Sequence, residues 1–166
     1  MNIRDILTLY DYNYWATRRI LAASVDVRPE QFLIPTMHSF GSLRGTLVHT
    51  LDAECAWRML CQHQTLAYFG AMEEAAFPTF EVLEQRWSVE ERAMRDYLAH
   101  LTDDDLAEYV RYTTQEGDKR ERLLWHCLFH TVNHGTQHRS EAAAILTGYG
   151  HSPGELDFTA FLNEQR

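Results

Sequence analysis

The sequence is short of the features that define several protein classes. Cysteine occurs three times, at Cys55, Cys61 and Cys127, with no CxxC pair. That odd set excludes a disulfide framework and points to a reducing, cytoplasmic setting, with each thiol read as a small buried hydrophobe. Cations are scarce: 15 Lys and Arg face 24 Asp and Glu, a net charge of −9. Broad binding to nucleic acid or an anionic membrane needs clustered cations and is therefore not expected, although a small local basic patch remains open. No apolar run reaches membrane-spanning length. Arg4, Asp5 and Asp11 interrupt the first apolar residues, so no signal peptide is read there. Internal repeats and low-complexity stretches are missing too. What remains is 166 residues, 45% hydrophobic and 23% charged. This is ordinary for a soluble globular chain, read as one domain over residues 1–166 with enough length for a proper core.

Histidine, by contrast, is concentrated. Four of the nine histidines lie at His126, His130, His134 and His138. Each is four residues from the next, just over one helical turn, so neighbours stack on one face. Two such imidazoles can share a metal ion. All four cannot, because each step advances about 40° around the helix and the outer pair diverges by about 120°. The phase of the apolar residues selects among them. His134 and His138 bracket the direction of Cys127 and Ile145, with Leu124 and Ala142 extending that arc. His130 falls at its margin and His126 outside it. A solvated, histidine-rich helix is the alternative, but two imidazoles on an apolar arc are costly unless satisfied.

Along the chain, residues 2–24 show helical spacing through Ile3, Ile6, Leu7, Tyr10, Tyr14 and Leu21, with Asn2 as N-cap. The aromatic cluster Tyr10, Tyr12, Tyr14 and Trp15 is read as helix packing rather than a ligand platform. Pro29, Pro35 and Gly41 mark a connection with a short helical turn at Pro29–Phe32. Ser42 caps a second helix to about Gln62, and its packed face of Ala53, Ala56 and Leu60 includes His49. Residues 63–78 read as a loop. Thr79 starts a third helix to about Leu101. Residues 102–118 begin with an aspartate run, read as a solvated loop. They continue through the alternating stretch 108–114, read as a short hairpin or extended crossover. A fourth helix is expected from Asp118, with Glu121 as capping-box partner, to about Thr147. Gly148, Gly150 and Pro153 end it, and the tail is expected to pack on the bundle or across a dimer contact. Four long amphipathic segments imply an all-α four-helix bundle, and the long second connection permits a crossover.

His49, His134 and His138 thus form a candidate three-histidine site for one divalent ion per chain. Zinc or nickel comes first, with iron, manganese or cobalt compatible. Structural zinc usually takes four protein ligands, so three favour an open site that acidifies water or a thiol. Other metal patterns fail: His134-Gly-Thr-Gln-His138 lacks the glutamate of HExxH, and no Glu-x-x-His pair supports a carboxylate-bridged di-iron bundle. Cys127 is one to two turns from His134, too far for ready ligation. His130, Asn133 and Glu141 are candidate orienting groups, or else surface residues. Glu141 and Asp52 are candidate general bases. Arg139 is a candidate for binding a carboxylate or a thiol cofactor, with a salt bridge inside the bundle as the alternative.

The chain resembles the DinB family of the DinB/YfiT-like metalloenzyme superfamily over nearly its whole length. The resemblance rests on Leu9-Tyr-Asp-Tyr-Asn-Tyr-Trp15, on Ser39-Phe-Gly-Ser-Leu-Arg-Gly-Thr-Leu-Val-His49, and on Trp57 eight residues on. It is densest in Leu128-Phe-His-Thr-Val-Asn-His-Gly-Thr-Gln-His-Arg-Ser-Glu141, followed by Gly148-Tyr-Gly-His-Ser-Pro-Gly-Glu-Leu-Asp157. It implies a four-helix bundle with a crossover, often homodimeric, and a metal on three histidines that map onto His49, His134 and His138. Many members carry His-His before the arginine; here Gln137 takes the first place and the ligand position is His138. Related superfamily members are transferases and isomerases that use low-molecular-weight thiols such as bacillithiol or mycothiol. The expected activity is therefore thiol transfer to a small electrophilic substrate. Metal-dependent hydrolysis and a non-enzymatic, stress-related dimer are the alternatives. Outward apolar residues of the fourth helix, Trp125, Phe129 and Val132, are available to a dimer or to another helix.

Overall fold

The computed structural model describes residues 1–114 and 116–165. Four long helices form the frame: α1 (Ile3–Ser24), α3 (Leu43–His63), α4 (Phe80–Ala99) and α6 (Leu124–Gly148). Shorter elements join them: α2 (Pro29–Leu33), α5 (Asp103–Leu106), the strands β1 (Tyr109–Thr113) and β2 (Lys119–Leu123), and α7 (Phe158–Glu164). The mostly helical fold with a short hairpin agrees with the sequence reading. No helix among the described residues is long and apolar enough to cross a membrane.

Cross-helix partners give the bundle order. Tyr10 donates to the Leu128 carbonyl and Asn13 meets Arg139, so α1 and α6 run parallel. Trp57 packs on His130 while His49 meets His134, so α3 runs antiparallel to α6. Arg18 pairs with Glu91 and Arg95 with Asp11, setting α4 antiparallel to α1. Arg58 pairs with Glu90 and Arg86 approaches Cys55, leaving α3 and α4 parallel. The order is up, down, down, up. Parallel neighbours need a return connection, and residues 64–79 supply the crossover that the long second connection had permitted.

Two of the long helices, α1 and α3, start at side-chain caps. Asn2 and Asp5 form a reciprocal capping box on α1, and the Ser42 hydroxyl accepts from the Gly45 N–H at 2.9 Å on α3. Two boundaries differ from expectation. The aspartate run is not a free loop: Thr102 caps it as α5, and Asp103 accepts from the Ile3 N–H at 2.7 Å, tying it to the start of α1. Residues from Asp118 do not open the last helix either. Lys119–Leu123 pair antiparallel with Tyr109–Thr113, and α6 begins at Leu124, whose N–H donates to the Glu108 carbonyl at 2.9 Å. Glu121 therefore faces Arg111 across the ladder instead of capping a helix. The cross-strand pairing overrides a capping pattern that is only local.

The core lies between the four helices, with Ile6, Tyr10, Tyr14, Leu47, Leu51, Leu60, Trp87 and Met94 fully enclosed. The aromatic run of α1 packs as expected, and the tail closes over it. Phe158 and Phe161 meet Tyr12 and Trp15, and the Trp15 indole donates to Glu164 at 2.8 Å. Val132 is buried and Phe129 exposed.

Candidate metal centre

His49 sits two turns into α3, and His134 and His138 lie mid-way along α6, the two helices that pack most extensively on one another. Helical spacing stacks the α6 pair, and the antiparallel packing of α3 brings His49 opposite both. The ring centroids are 5.0 Å (His49–His134), 4.7 Å (His49–His138) and 4.4 Å (His134–His138) apart. One ligand nitrogen from each lies within 4.8 Å of the others. The Nε2 atoms of His49 and His134 are 3.1 Å apart. Two nitrogens each at about 2.05 Å from one tetrahedral zinc stand roughly 3.3 Å apart. The donor set therefore fits a metal ion, and the cluster could hold one.

Burial favours the neutral form of His49 and His134, and a carboxylate orients His138. Burial pushes the His134 pKa down to about 4, with the neighbouring His138, His49 and His130 adding to the effect. Burial, then His138, lowers His49 as well. Neutral imidazoles are the metal-binding form. His138 is 4% exposed, and its Nδ1 donates to Glu141 Oε2 at 2.8 Å. In the neutral ring that bond directs the Nε2 lone pair away from Glu141, the arrangement common to metal-binding histidines. Glu141 is itself held by the Ser39 hydroxyl at 2.9 Å. Burial alone would raise its carboxyl, but hydrogen bonds from His138 and Ser39 bring it below its ordinary value.

A loop covers one side. Phe40 stacks on His49 at 3.6 Å and 13°, and meets His138 edge-on at 5.1 Å. This requires glycine at position 45, where a Cβ would collide with the Phe40 carbonyl. Ser39 and Phe40 were within a stretch singled out by resemblance, yet only the folded loop gives them these contacts.

The remaining candidates divide. His130 is exposed, with its ring 5.8 Å from His134 and 4.6 Å from Trp57; it adjoins the three-histidine cluster without joining it. His126 packs on Trp125, and Asn133 is exposed. Cys127 is a buried free thiol and lies outside the three-histidine cluster. Asp52 accepts from the backbone N–H groups of Gly70 at 2.8 Å and Met72 at 2.9 Å, so both oxygens anchor the 64–79 connection. Arg139 is 2% exposed and is directed at α1. It donates to Asn13 Oδ1 at 2.5 Å and to the Thr136 hydroxyl at 3.0 Å. Asn13 in turn donates to Glu54 at 3.1 Å, and Tyr14 donates to Glu54 at 2.6 Å. Sequence reasoning missed Asn13 and Glu54. The available signal was a polar residue inside each apolar face, Asn13 among the tyrosines and Glu54 between Leu51 and Ala56.

This up-down-down-up bundle with three histidines on α3 and α6 defines a class. The DinB family model matches residues 1–166, and the chain belongs to the DinB family. It is also similar to Protein DinB of Bacillus subtilis (strain 168), at 24% identity over 167 residues, covering 93% of this chain and 91% of that protein.

Proposed function

We propose that this chain is a metal-dependent S-transferase that joins a low-molecular-weight thiol to a small electrophile, with residues 1–166 acting as one domain around the site. The carrying observation is the convergence of His49, His134 and His138 from two helices, with His138 oriented by Glu141. Bound there, a divalent ion, zinc or nickel foremost and iron or manganese next, supplies Lewis acidity that lowers the pKa of a thiol or water in its remaining positions. The chain's own groups do the rest. Three neutral imidazoles leave the ion's full positive charge in place. Glu141 fixes the tautomer of His138, and Phe40 keeps water from one side of His49.

Thiol transfer is preferred to hydrolysis because of what the acidic side chains are doing. Asp52 is occupied by the 64–79 connection and Glu141 by His138 and Ser39. Neither carboxylate is free to shuttle a proton from water. A thiol has an ordinary pKa of about 8.5 and needs far less help to ionise. Arg139, held by Asn13 and Thr136, serves the bundle and not the cofactor. The three free cysteines support a cytoplasmic setting for such an activity. The exposed Phe129 on α6 gives a homodimer one apolar contact.

The test is elemental analysis of untagged protein beside His49→Ala and His134→Ala, with melting temperature and thiol binding measured on each. About one metal per chain in the wild type, lost in both variants together with thiol binding and with little change in melting temperature, supports the proposal. Full occupancy in either variant overturns the three-histidine site. Large losses of melting temperature with no thiol binding to the wild type favour the second reading, a stress-related metal-binding dimer.

A further inference from the structure

Toward the start of α6 from the three histidines lies a cavity of about 430 Å³ lined by Trp57, Tyr112, Arg122, His126, Cys127 and His130. His130 stands between the two regions: it lines this cavity, and its ring lies 5.8 Å from His134. The volume falls in the range of small-molecule sites.

Arg122 gives the cavity its chemistry. In the hairpin, Val110 pairs with Arg122 and Tyr112 with Arg120, so these four side chains share one face. On that face Val110 is buried and Tyr112 half-buried, while Arg120 and Arg122 are exposed. The other hairpin arginines are neutralised: Arg111 pairs with Glu121 at 3.4 Å and Arg120 with Asp118 at 2.6 Å. Arg122 has no carboxylate partner among the described residues, and it donates only to the Glu121 carbonyl at 2.8 Å. In a chain of net charge −9, Arg122 is an exposed guanidinium that lines an aromatic-walled cavity and is free to take an anion. Its planar fork suits a carboxylate.

We propose that this cavity binds the carboxylate end of the ligand whose thiol end lies at the three histidines, with Arg122 pairing the carboxylate and Trp57 and Tyr112 flanking the chain between. This deepens the proposed function and rests on it. The span is set by the helix. Seven to eight residues separate His134 from Cys127 and His126, which is roughly 10–12 Å at 1.5 Å per residue. The ligand class is therefore an elongated thiol carrying a carboxylate at that distance from sulfur. His126 and His130 provide polar groups along the way.

The test uses cobalt-loaded protein, whose sulfur-to-metal charge-transfer band reports thiolate at the metal, titrated with 8-mercaptooctanoate, 8-mercaptooctanol and 2-mercaptoethanol. The expected result is about ten-fold tighter binding of the carboxylate than of the alcohol of equal length, the scale of one charge-assisted hydrogen-bond pair. Arg122→Gln should erase that preference while leaving 2-mercaptoethanol binding and the circular dichroism spectrum unchanged. A band with every thiol but no carboxylate preference, or a preference that survives in Arg122→Gln, overturns this proposal and leaves the metal site intact. No metal loading or no band with any thiol overturns the metal-thiol reading instead. In that case, the nuclear magnetic resonance signal of the Arg122 Nε–Hε group is followed on adding octanoate to the metal-free protein. A saturable shift supports the carboxylate subsite, and no shift overturns it.

Discussion

Replacing Gly135 by alanine sets two effects of opposite sign against each other. Gly135 is buried in the middle of α6, one residue after His134. In an ordinary helix interior the change would stabilise by about 1 kcal/mol, because glycine loses more backbone entropy. Here a Cβ would stand 2.7 Å from Arg139 Nη1 and 3.1 Å from Asn13 Oδ1. Those atoms cannot give way cheaply. Both side chains are buried and bonded to each other, and Asn13 is also held by Glu54. Overpacking costs about 1–3 kcal/mol. Weakening a buried hydrogen bond to a charged group adds about 1.5–3 kcal/mol. The steric side wins, and Gly135→Ala should destabilise by about 3 kcal/mol, lowering the melting temperature by roughly 6–12 °C. Gly148 is the internal control: it ends the same helix with nothing within 4 Å of its Cβ position, so Gly148→Ala should be neutral or mildly stabilising. Urea denaturation followed by circular dichroism measures both, with equal m-values confirming a pure stability change. A Gly135→Ala protein as stable as the wild type would show that α1 and α6 are not locked through Asn13 and Arg139.

Two further predictions follow from the hydrogen bonds around the site and the core. Glu141→Ala should weaken zinc binding about 10–100-fold in chelator competition, because His138 loses the group that fixes its tautomer. Glu141→Gln should lose less, and unchanged affinity in Glu141→Ala would remove Glu141 from the site. The second prediction concerns pH. Burial, opposed by hydrogen bonds from Tyr14 and Asn13, raises the Glu54 pKa from 4.5 to about 7. The folded chain thus keeps a proton that the unfolded chain has released, so this group makes stability fall as pH rises from about 4.5 to about 7. At 1.36 kcal/mol per pKa step the full effect is about 3 kcal/mol. The stability difference between wild type and Glu54→Gln should change by up to that amount across the window; a difference flat with pH would refute a protonated, buried Glu54.

The four long helices could be read from the chain because each writes its own period. Ile6, Tyr10 and Tyr14 recur on one face whether or not a partner helix is in view. The same local rule stacked His134 on His138 and turned them inward with Cys127 and Ile145. It also placed His49 on the packed face of its helix. The start of α6 misled for the same reason, since Asp118 and Glu121 match a helix cap in isolation. Their strand pairing with Tyr109–Thr113 depends on residues across a turn.

Side-chain roles between elements were beyond the reach of periodicity. Asp52, Glu141 and Arg139 were all reasonable candidates for chemistry by residue type. Their partners separate them: a connection's backbone for Asp52, His138 and Ser39 for Glu141, and Asn13 on α1 for Arg139. Phe40 on His49 and Arg122 beside the cavity at the start of α6 belong to the same group. The sequence by itself determined which face of each helix is buried, because burial follows a 3.6-residue period carried within one segment. The tertiary structure alone decided which buried or bordering side chains meet. That depends on the axial offset and rotation of one helix against another, and only packing the whole chain sets those.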